Sequence, residues 1–272
     1  MTNRYNSAVF LQNHITYTVQ FQFNPLVQQK SRFQYKRMTS REYPKVWSTF
    51  ERITEDGRTL AFIIEDIPEA LWSTAVEFML GNYIREDVWW TTAGTAENPQ
   101  AIEEYRVLLT SIVKQKMSLA CFLTENDGKG RKLVGVNMCM VQEKERFVEH
   151  NPPKTKAGLL SLCMFSEAMK VTAIYDKNDV SKYLMGAGLS VSPEYRGHGV
   201  AVELLKCRML LAKEVGLKVT GGIFTSASAQ RSAEKAGMEC VYHIPYKQFG
   251  EQCKIDFNST TKDLKIFAIK VE

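Results

Sequence analysis

The sequence predicts an α/β protein built on a mixed central sheet with helices on both faces. Three observations carry that prediction. An Asp-Gly turn separates two β-like runs early in the chain, a strand–helix–strand–helix unit comes late, and two further strands follow it. Early hairpin signals and a late crossover together argue against a purely parallel sheet. With 272 residues, 44% of them hydrophobic and 24% charged, the chain has the ordinary globular balance and can bury a substantial core.

Taken in order, Met1 to about Tyr43 is rich in Asn, Gln and Thr, with neither a sustained helical period nor clean strand alternation, so 1–45 is set apart as an N-terminal extension without an assigned role. One domain over 46–272 is expected to follow. Val46–Thr54 and Arg58–Ile64 flank Glu55-Asp56-Gly57 and predict a hairpin. Asp66-Ile67-Pro68-Glu69 reads as a helix start with a capping carboxylate, and Leu71, Ala75, Phe78 and Met79 give that helix a buried stripe to about Leu80. A second helix starts near Asn98-Pro99, with Ile102, Tyr105, Leu108, Leu109, Ile112 and Val113 on one side. Ser118–Thr124 and Lys132–Gln142 read as strands joined through Glu125–Arg131, and Lys156–Lys170 as a helix. Then come a strand Tyr183–Ser192, a helix Val200–Val215 closed by Gly216, a strand Lys218–Thr225 and a helix Ala227–Ala236 closed by Gly237. Strands Cys240–Tyr246 and Asp263–Val271 complete the sheet.

Composition excludes several function classes. The charge of +5 is modest and the basic residues are scattered, which argues against nucleic acid as a partner. The N-terminus lacks a signal-like apolar stretch, and no run approaches the roughly 18 apolar residues of a membrane span, so a cytoplasmic protein with no membrane association is expected. Cys121, Cys139, Cys163, Cys207, Cys240 and Cys253 form no C-x-x-C pair and are expected to be reduced and mostly buried. No histidine and carboxylate group has metal-ligand spacing, so no metal is expected. His14 and His150 read as surface residues; His243, on a late strand, is a minor candidate for base or substrate contact.

The informative stretch is Leu189-Ser190-Val191-Ser192-Pro193-Glu194-Tyr195-Arg196-Gly197-His198-Gly199-Val200-Ala201. A strand stops at Pro193, two glycines permit a tight turn, and a long helix begins at once, so its first amides converge unpaired on one point. Such a helix start is a ready site for a pyrophosphate. A P-loop would need Lys and Ser/Thr after Gly199, where Val200-Ala201 stand, and a Rossmann fingerprint would need a third glycine where Val202 stands.

Glu194-Tyr195-Arg196-Gly197-His198-Gly199 resembles the Q/R-x-x-G-x-G/A signature of GNAT acetyltransferases, with Glu194 in place of Gln or Arg. Leu189-Ser190-Val191, Tyr195-Arg196-Gly197 and Glu234-Lys235-Ala236-Gly237-Met238 are together similar to the insect arylalkylamine N-acetyltransferases, over roughly Leu60 to Glu272. The resemblance implies the GNAT fold, a mixed central sheet of about seven strands in which two strands splay apart and admit acetyl-CoA. It implies that Leu189, Ser190 and Val191 pair with the pantetheine arm, that Arg196, Gly197, His198, Gly199, Val200 and Ala201 wrap the pyrophosphate, and that Ser228 lies on the cofactor side. Leu189 and Val191 equally suit plain strand core.

An amine must lose a proton to attack a thioester, so a base is required. Glu86 and Asp87 follow the first helix, and Asp87 aligns with the glutamate that serves the insect enzymes as base through water; Val88 replaces a family proline. Their other reading is an exposed acidic pair, or a direct contact for the substrate ammonium. Trp89 and Trp90 suit either an aromatic wall for an arylalkylamine or plain core. The family's hydroxyls fall on Thr225, which keeps one, and on Ala229, which does not. Ser226 stands where many relatives carry Asn and also suits a helix N-cap, while Ala233 replaces the tyrosine that many use as an acid. The resemblance therefore implies transfer of acetyl to a small primary amine in a ternary complex, with Asp87, Glu86, Thr225 and Ser226 as catalytic candidates. A silent CoA-binding protein and a protein N-terminal or lysine acetyltransferase are the alternatives.

Overall fold

The computed structural model describes residues 5–12, 15–22, 42–124, 130–144 and 153–271. The chain divides into two compact units, Met1–Gln34 and Tyr35–Glu272. In the first, strand β1 (Tyr5–Gln12) pairs antiparallel with β2 (Ile15–Gln22). This corrects the expectation of a segment without strands. Ile15, Tyr17, Val19 and Phe21 alternate with Thr16, Thr18, Gln20 and Gln22, a period of two in which the polar members are themselves β-tolerant.

The second unit holds an eight-stranded sheet, one strand for each of the eight read along the sequence and close to the about seven that the resemblance implies. Its strands are β3 (Val46–Ile53), β4 (Thr59–Asp66), β5 (Leu119–Thr124), β6 (Arg131–Glu143), β7 (Lys182–Val191), β8 (Val219–Phe224), β9 (Glu239–Pro245) and β10 (Asp263–Lys270), in the spatial order β3-β4-β5-β6-β7-β8-β10-β9. Every pairing is antiparallel except β7 with β8. Gly57, at a φ of +81°, makes the β3–β4 turn as Asp-Gly predicts. Pairing of β5 with β6 confirms their hairpin, although most of the predicted turn between them lies outside the described residues.

The helices are α1 (Trp72–Glu86), α2 (Val88–Ala93), α3 (Pro99–Val113), α4 (Lys156–Lys170), α5 (Ile174–Asn178), α6 (Val200–Glu214), α7 (Ala227–Lys235) and α8 (Tyr246–Cys253). Asn98 caps α3 as predicted, accepting from the amides of Gln100 and Ala101. The expected start of α1 is corrected. Asp66 is the buried last residue of β4 and its carboxylate accepts from the Lys45 amide and Trp47 Nε1, so it caps nothing; Glu69–Leu71 form a single tight turn, and α1 runs past Gly81 to Glu86. Burial of Ile84 beyond Gly81 supplies the packing that a lone glycine does not undo.

Two cores result. Between the sheet and α6 lie Phe62, Ile64, Leu119, Cys121, Cys139, Leu184, Val191, Leu204, Cys207 and Leu211, all buried. A smaller cluster joins α6 and α7 to the sheet through Leu205, Phe224, Ala233, Met238 and Phe267. α1 and α3 pack against β6 and β7, and α8 meets β9, β10 and α4. The cysteines are free and four of the six are buried, as expected, while Cys163 is half-buried and Cys240 exposed.

Candidate active site

The sheet is opened at its one parallel junction. β7 and β8 pair only through Leu184, Met185 and Gly186 with Thr220, Gly221 and Gly222, whereas β8 pairs along its whole length with β10. Beyond Gly186 the strands part. Gly186, Ala187, Gly188 and Leu189 are consequently half-exposed although they lie mid-strand in the centre of the sheet, while Tyr183–Met185 before them and Ser190 and Val191 after them are buried. A register shift against β6, between Met138 and Cys139, leaves Ala187 without a partner and turns β7 at that point. Asn137, fully buried on β6, donates from Nδ2 to the Gly188 carbonyl at 2.9 Å and so holds the bulge in place.

At the far end of β7 stands the predicted cradle. Pro193–Tyr195 form one tight turn, Gly197 and Gly199 take φ values of +84° and +80°, and α6 begins at Val200 with no side chain capping it. Side chains at φ near +80° are strained, so these two positions select glycine. The uncapped amides at the head of a 15-residue helix fit a diphosphate. Because Gly199 is the N-cap, the pattern Q/R-x-x-G-x-G/A also fits two residues downstream, as Arg196-x-x-Gly199-x-Ala201, and there it has no departure. Glu194 lies outside that register and pairs instead with exposed Lys132 at 2.7 Å.

Glu86 and Asp87, adjacent in sequence, part in space. Glu86 is the exposed last residue of α1 and pairs with Arg196 Nη2 at 2.5 Å, while Arg196 Nε donates to the Val191 carbonyl. Asp87 turns into extended backbone, is 7% exposed, and caps α2 by accepting from the Trp89 amide. Its other oxygen accepts from the Thr225 hydroxyl, just beyond the end of β8. The reading of both carboxylates as an exposed pair thus holds for Glu86 alone.

Aromatic rings enclose Asp87. Tyr83 from α1, Tyr105 from α3 and Tyr246 from α8 all feel its charge, and Trp90 lies 4.1 Å from Tyr105 between ring centroids. Tyr246 in turn donates to the Thr225 carbonyl at 2.7 Å. Burial among these rings pushes the Asp87 carboxyl up to about 6, against the opposing effects of the Thr225 hydroxyl, the Trp89 and Trp90 amides and Tyr83. Tyr83 also links the acid to the opened strands, since a side chain at Gly188 would meet Met79 Cε at 2.7 Å and Tyr83 Cε1 at 3.3 Å.

The remaining sequence candidates divide. Trp89 is buried and stacks on Phe249, and the indoles of Trp89 and Trp90 lie beside the hydroxyls of Tyr246 and Tyr83. Ser226 caps α7 by accepting from the Ala229 amide at 3.3 Å, and exposed Ser228 lies 3.2 Å from it between hydroxyl oxygens. His198 sits half-buried in the cradle; His243 is exposed on β9. His14 and His150 lie outside the described residues. Sequence reasoning missed Arg52. It projects from β3 across to the cradle, where a side chain at Gly199 would lie 3.3 Å from its Nη2, and it stands 3.7 Å from Glu203. Nothing local in β3 marks it, because the approach is made by tertiary folding.

No family model matches this chain, and no curated protein does. Solved structures do. Arylalkylamine N-acetyltransferase 2 of Aedes aegypti aligns with a TM-score of 0.65 and 19% identity over 78% of this chain and 99% of that one. A protein assigned as insect arylalkylamine N-acetyltransferase 7, from the same yellow fever mosquito, aligns with a TM-score of 0.80 and 24% identity over 88% of this chain and 100% of its own. The chain has the GNAT fold. A Drosophila melanogaster polyamine N-acetyltransferase that forms N-acetylagmatine shares that fold with it at a TM-score of 0.61 and 18% identity, over 77% of this chain and 99% of that one. Among the described residues no group of His, Cys, Asp and Glu could hold a metal ion, and no helix is long and apolar enough to cross a membrane.

Proposed function

We propose that this GNAT-fold protein transfers acetyl from acetyl-CoA to a primary amine, and that the amine is small, cationic and aromatic or aliphatic. The observation that carries the reading is the opened junction of β7 and β8, with an uncapped glycine-rich helix start at one end and a buried carboxylate beside it. Val200, Ala201 and Val202 amides would hold the diphosphate, and the free edge of Gly188–Val191 would pair with the pantetheine amides. Acetyl-CoA supplies the activated acyl carbon when bound.

The chain's own residues supply the rest. Asp87, with its carboxyl near 6, is ionised at neutral pH yet basic enough to take a proton from the amine directly or through water. Thr225 orients it. The rings of Tyr83, Trp90 and Tyr105 exclude water and favour a cation carrying an apolar body. The cysteines buried in the sheet and α6 are not suited to carry the acyl group. Burial pushes the Cys121, Cys139 and Cys207 thiols up to about 12, so none is a thiolate at neutral pH.

Thiol release from acetyl-CoA across a panel of phenylethylamines, indolethylamines, agmatine and polyamines tests the reading. Turnover well above hydrolysis with at least one amine is expected; background rates with all of them, together with CoA binding, would leave a silent CoA-binding fold. The loss of a hydroxyl at Ala229 and the use of Ser226 as a cap are what favour that second outcome. A separate result is expected for Arg52→Gln. Removing this cation beside the cradle, and leaving Glu203 to Lys206 alone, should weaken CoA binding roughly tenfold at low salt and flatten its salt dependence, as read by titration calorimetry.

A further inference from the structure

Arg208 is the largest fully buried side chain among the described residues, 1% exposed in the middle of α6. Among the described residues no carboxylate pairs with it; its guanidinium meets two neutral sulfurs, with Nη2 3.6 Å from that of Met238 and the Cys139 thiol beside it, and Nε has no partner. A buried arginine without a counter-ion is costly and is not kept by packing alone. Its position is specific. A side chain at Gly186 would lie 2.1 Å from Arg208 Nη1, so the guanidinium fills the space beside the last β7 residue paired to β8, at the point where the two strands part. The neighbours facing it are Cys139 from β6 and Tyr183 from β7, with Tyr175 of α5 stacked edge-on behind Tyr183. Burial holds the Cys139 thiol and the Tyr183 phenol neutral, and neither supplies a negative charge.

We propose that Arg208 is the resident cation for the departing sulfur of coenzyme A. The inference rests on the acetyl-transfer reading. In that reaction the amine nitrogen bonds to the acyl carbon, the carbon–sulfur bond breaks with its electron pair going to sulfur, and the amine proton goes to Asp87. The sulfur therefore leaves as a thiolate unless an acid meets it, and α7 turns Ala233, which has no proton to give, into the cluster that includes Met238. A fixed positive charge at the apex of the opening stabilises that thiolate without a proton transfer. The same charge is uncompensated until the sulfur arrives.

The test reads the thiol of bound CoA. Ultraviolet thiolate absorbance is titrated against pH for CoA on the protein, with desulfo-CoA on the same protein as the blank that cancels its own cysteines. The bound thiol of the parent protein is expected to titrate about one unit or more below that of free CoA, and Arg208→Met should remove most of that difference, an effect of about tenfold in thiolate fraction. The melting temperature of Arg208→Met in the absence of CoA should equal or exceed the parent value, because an apolar side chain replaces an unpaired buried charge. An unchanged thiol titration in Arg208→Met overturns the proposal, and a lowered melting temperature alongside it assigns Arg208 to structure. Should Arg208→Met not fold, Arg208→Gln keeps donors without charge and gives the same comparison. Absence of CoA binding in the parent overturns this inference together with the acetyl-transfer reading, whereas binding with an unperturbed thiol overturns this inference alone.

Discussion

Replacing Asp87 by Asn is expected to lower kcat/KM for acetyl transfer by roughly 10²–10⁴-fold while the protein stays folded. Asn is as good a helix N-cap as Asp, so the bond from the Trp89 amide survives and only the proposed base is lost. Stability gives an independent check with a definite sign. The folded carboxyl titrates near 6, above its ordinary 3.8, so the native state holds a proton that the unfolded chain releases, and the stability linked to Asp87 falls as pH rises through that interval. The Asn variant has no such group, and its melting temperature should be at least that of the parent at pH 8 and relatively lower at pH 4. For activity the dependence runs the other way. The base works only when ionised, and the parent rate should drop tenfold per unit below about pH 6. Thr225→Val removes the hydroxyl that favours the charged form, so the acid limb should move about one unit to higher pH with the plateau largely kept. A rate profile that is flat from pH 5 to 8 in the parent would remove Asp87 from the reaction.

The second large effect is expected at Gly199. Valine there must adopt a φ of +80°, a cost of about 1–2 kcal/mol for a side chain in the left-handed region, and its Cβ would stand 3.3 Å from Arg52 Nη2. The backbone has to relax, and with it the amides proposed to face the diphosphate. CoA affinity should fall roughly a hundredfold in calorimetry for Gly199→Val and less for Gly199→Ala, with the melting temperature lowered by a few degrees. Retained affinity in the valine variant would mean that the nucleotide is gripped elsewhere.

Local chemistry made much of this readable beforehand. Leu189–Ala201 announces a strand, a double-glycine turn and a helix, and all three stand where the residues place them. The Asn98 cap, the Gly57 turn and the α6–β8–α7 succession were legible for the same reason, since each depends on neighbours in sequence. What stayed hidden depends on distant partners. Asp66 has the sequence of a helix cap, yet Lys45 and Trp47 claim it. α2 and α8, of six and eight residues, are too short for a hydrophobic period to declare itself. The burial that lifts the Asp87 carboxyl comes from Tyr83, Tyr105 and Tyr246, on three separate helices, and Arg208 reads from sequence as an ordinary cation on an amphipathic helix. That Glu86 and Asp87 go different ways follows from one residue of backbone, where α1 ends and Asp87 turns extended.

The interleaving of the last three strands bears on how the molecule is made. β8 leans on β7 through three residue pairs and on β10 through six, yet β9 and α8 are synthesised before β10 exists. A nascent chain halted after α8 would display β8 with one flank bare, a template for association with other chains. Support for β8 and protection from aggregation therefore arrive together, with a late-translated segment acting as keystone.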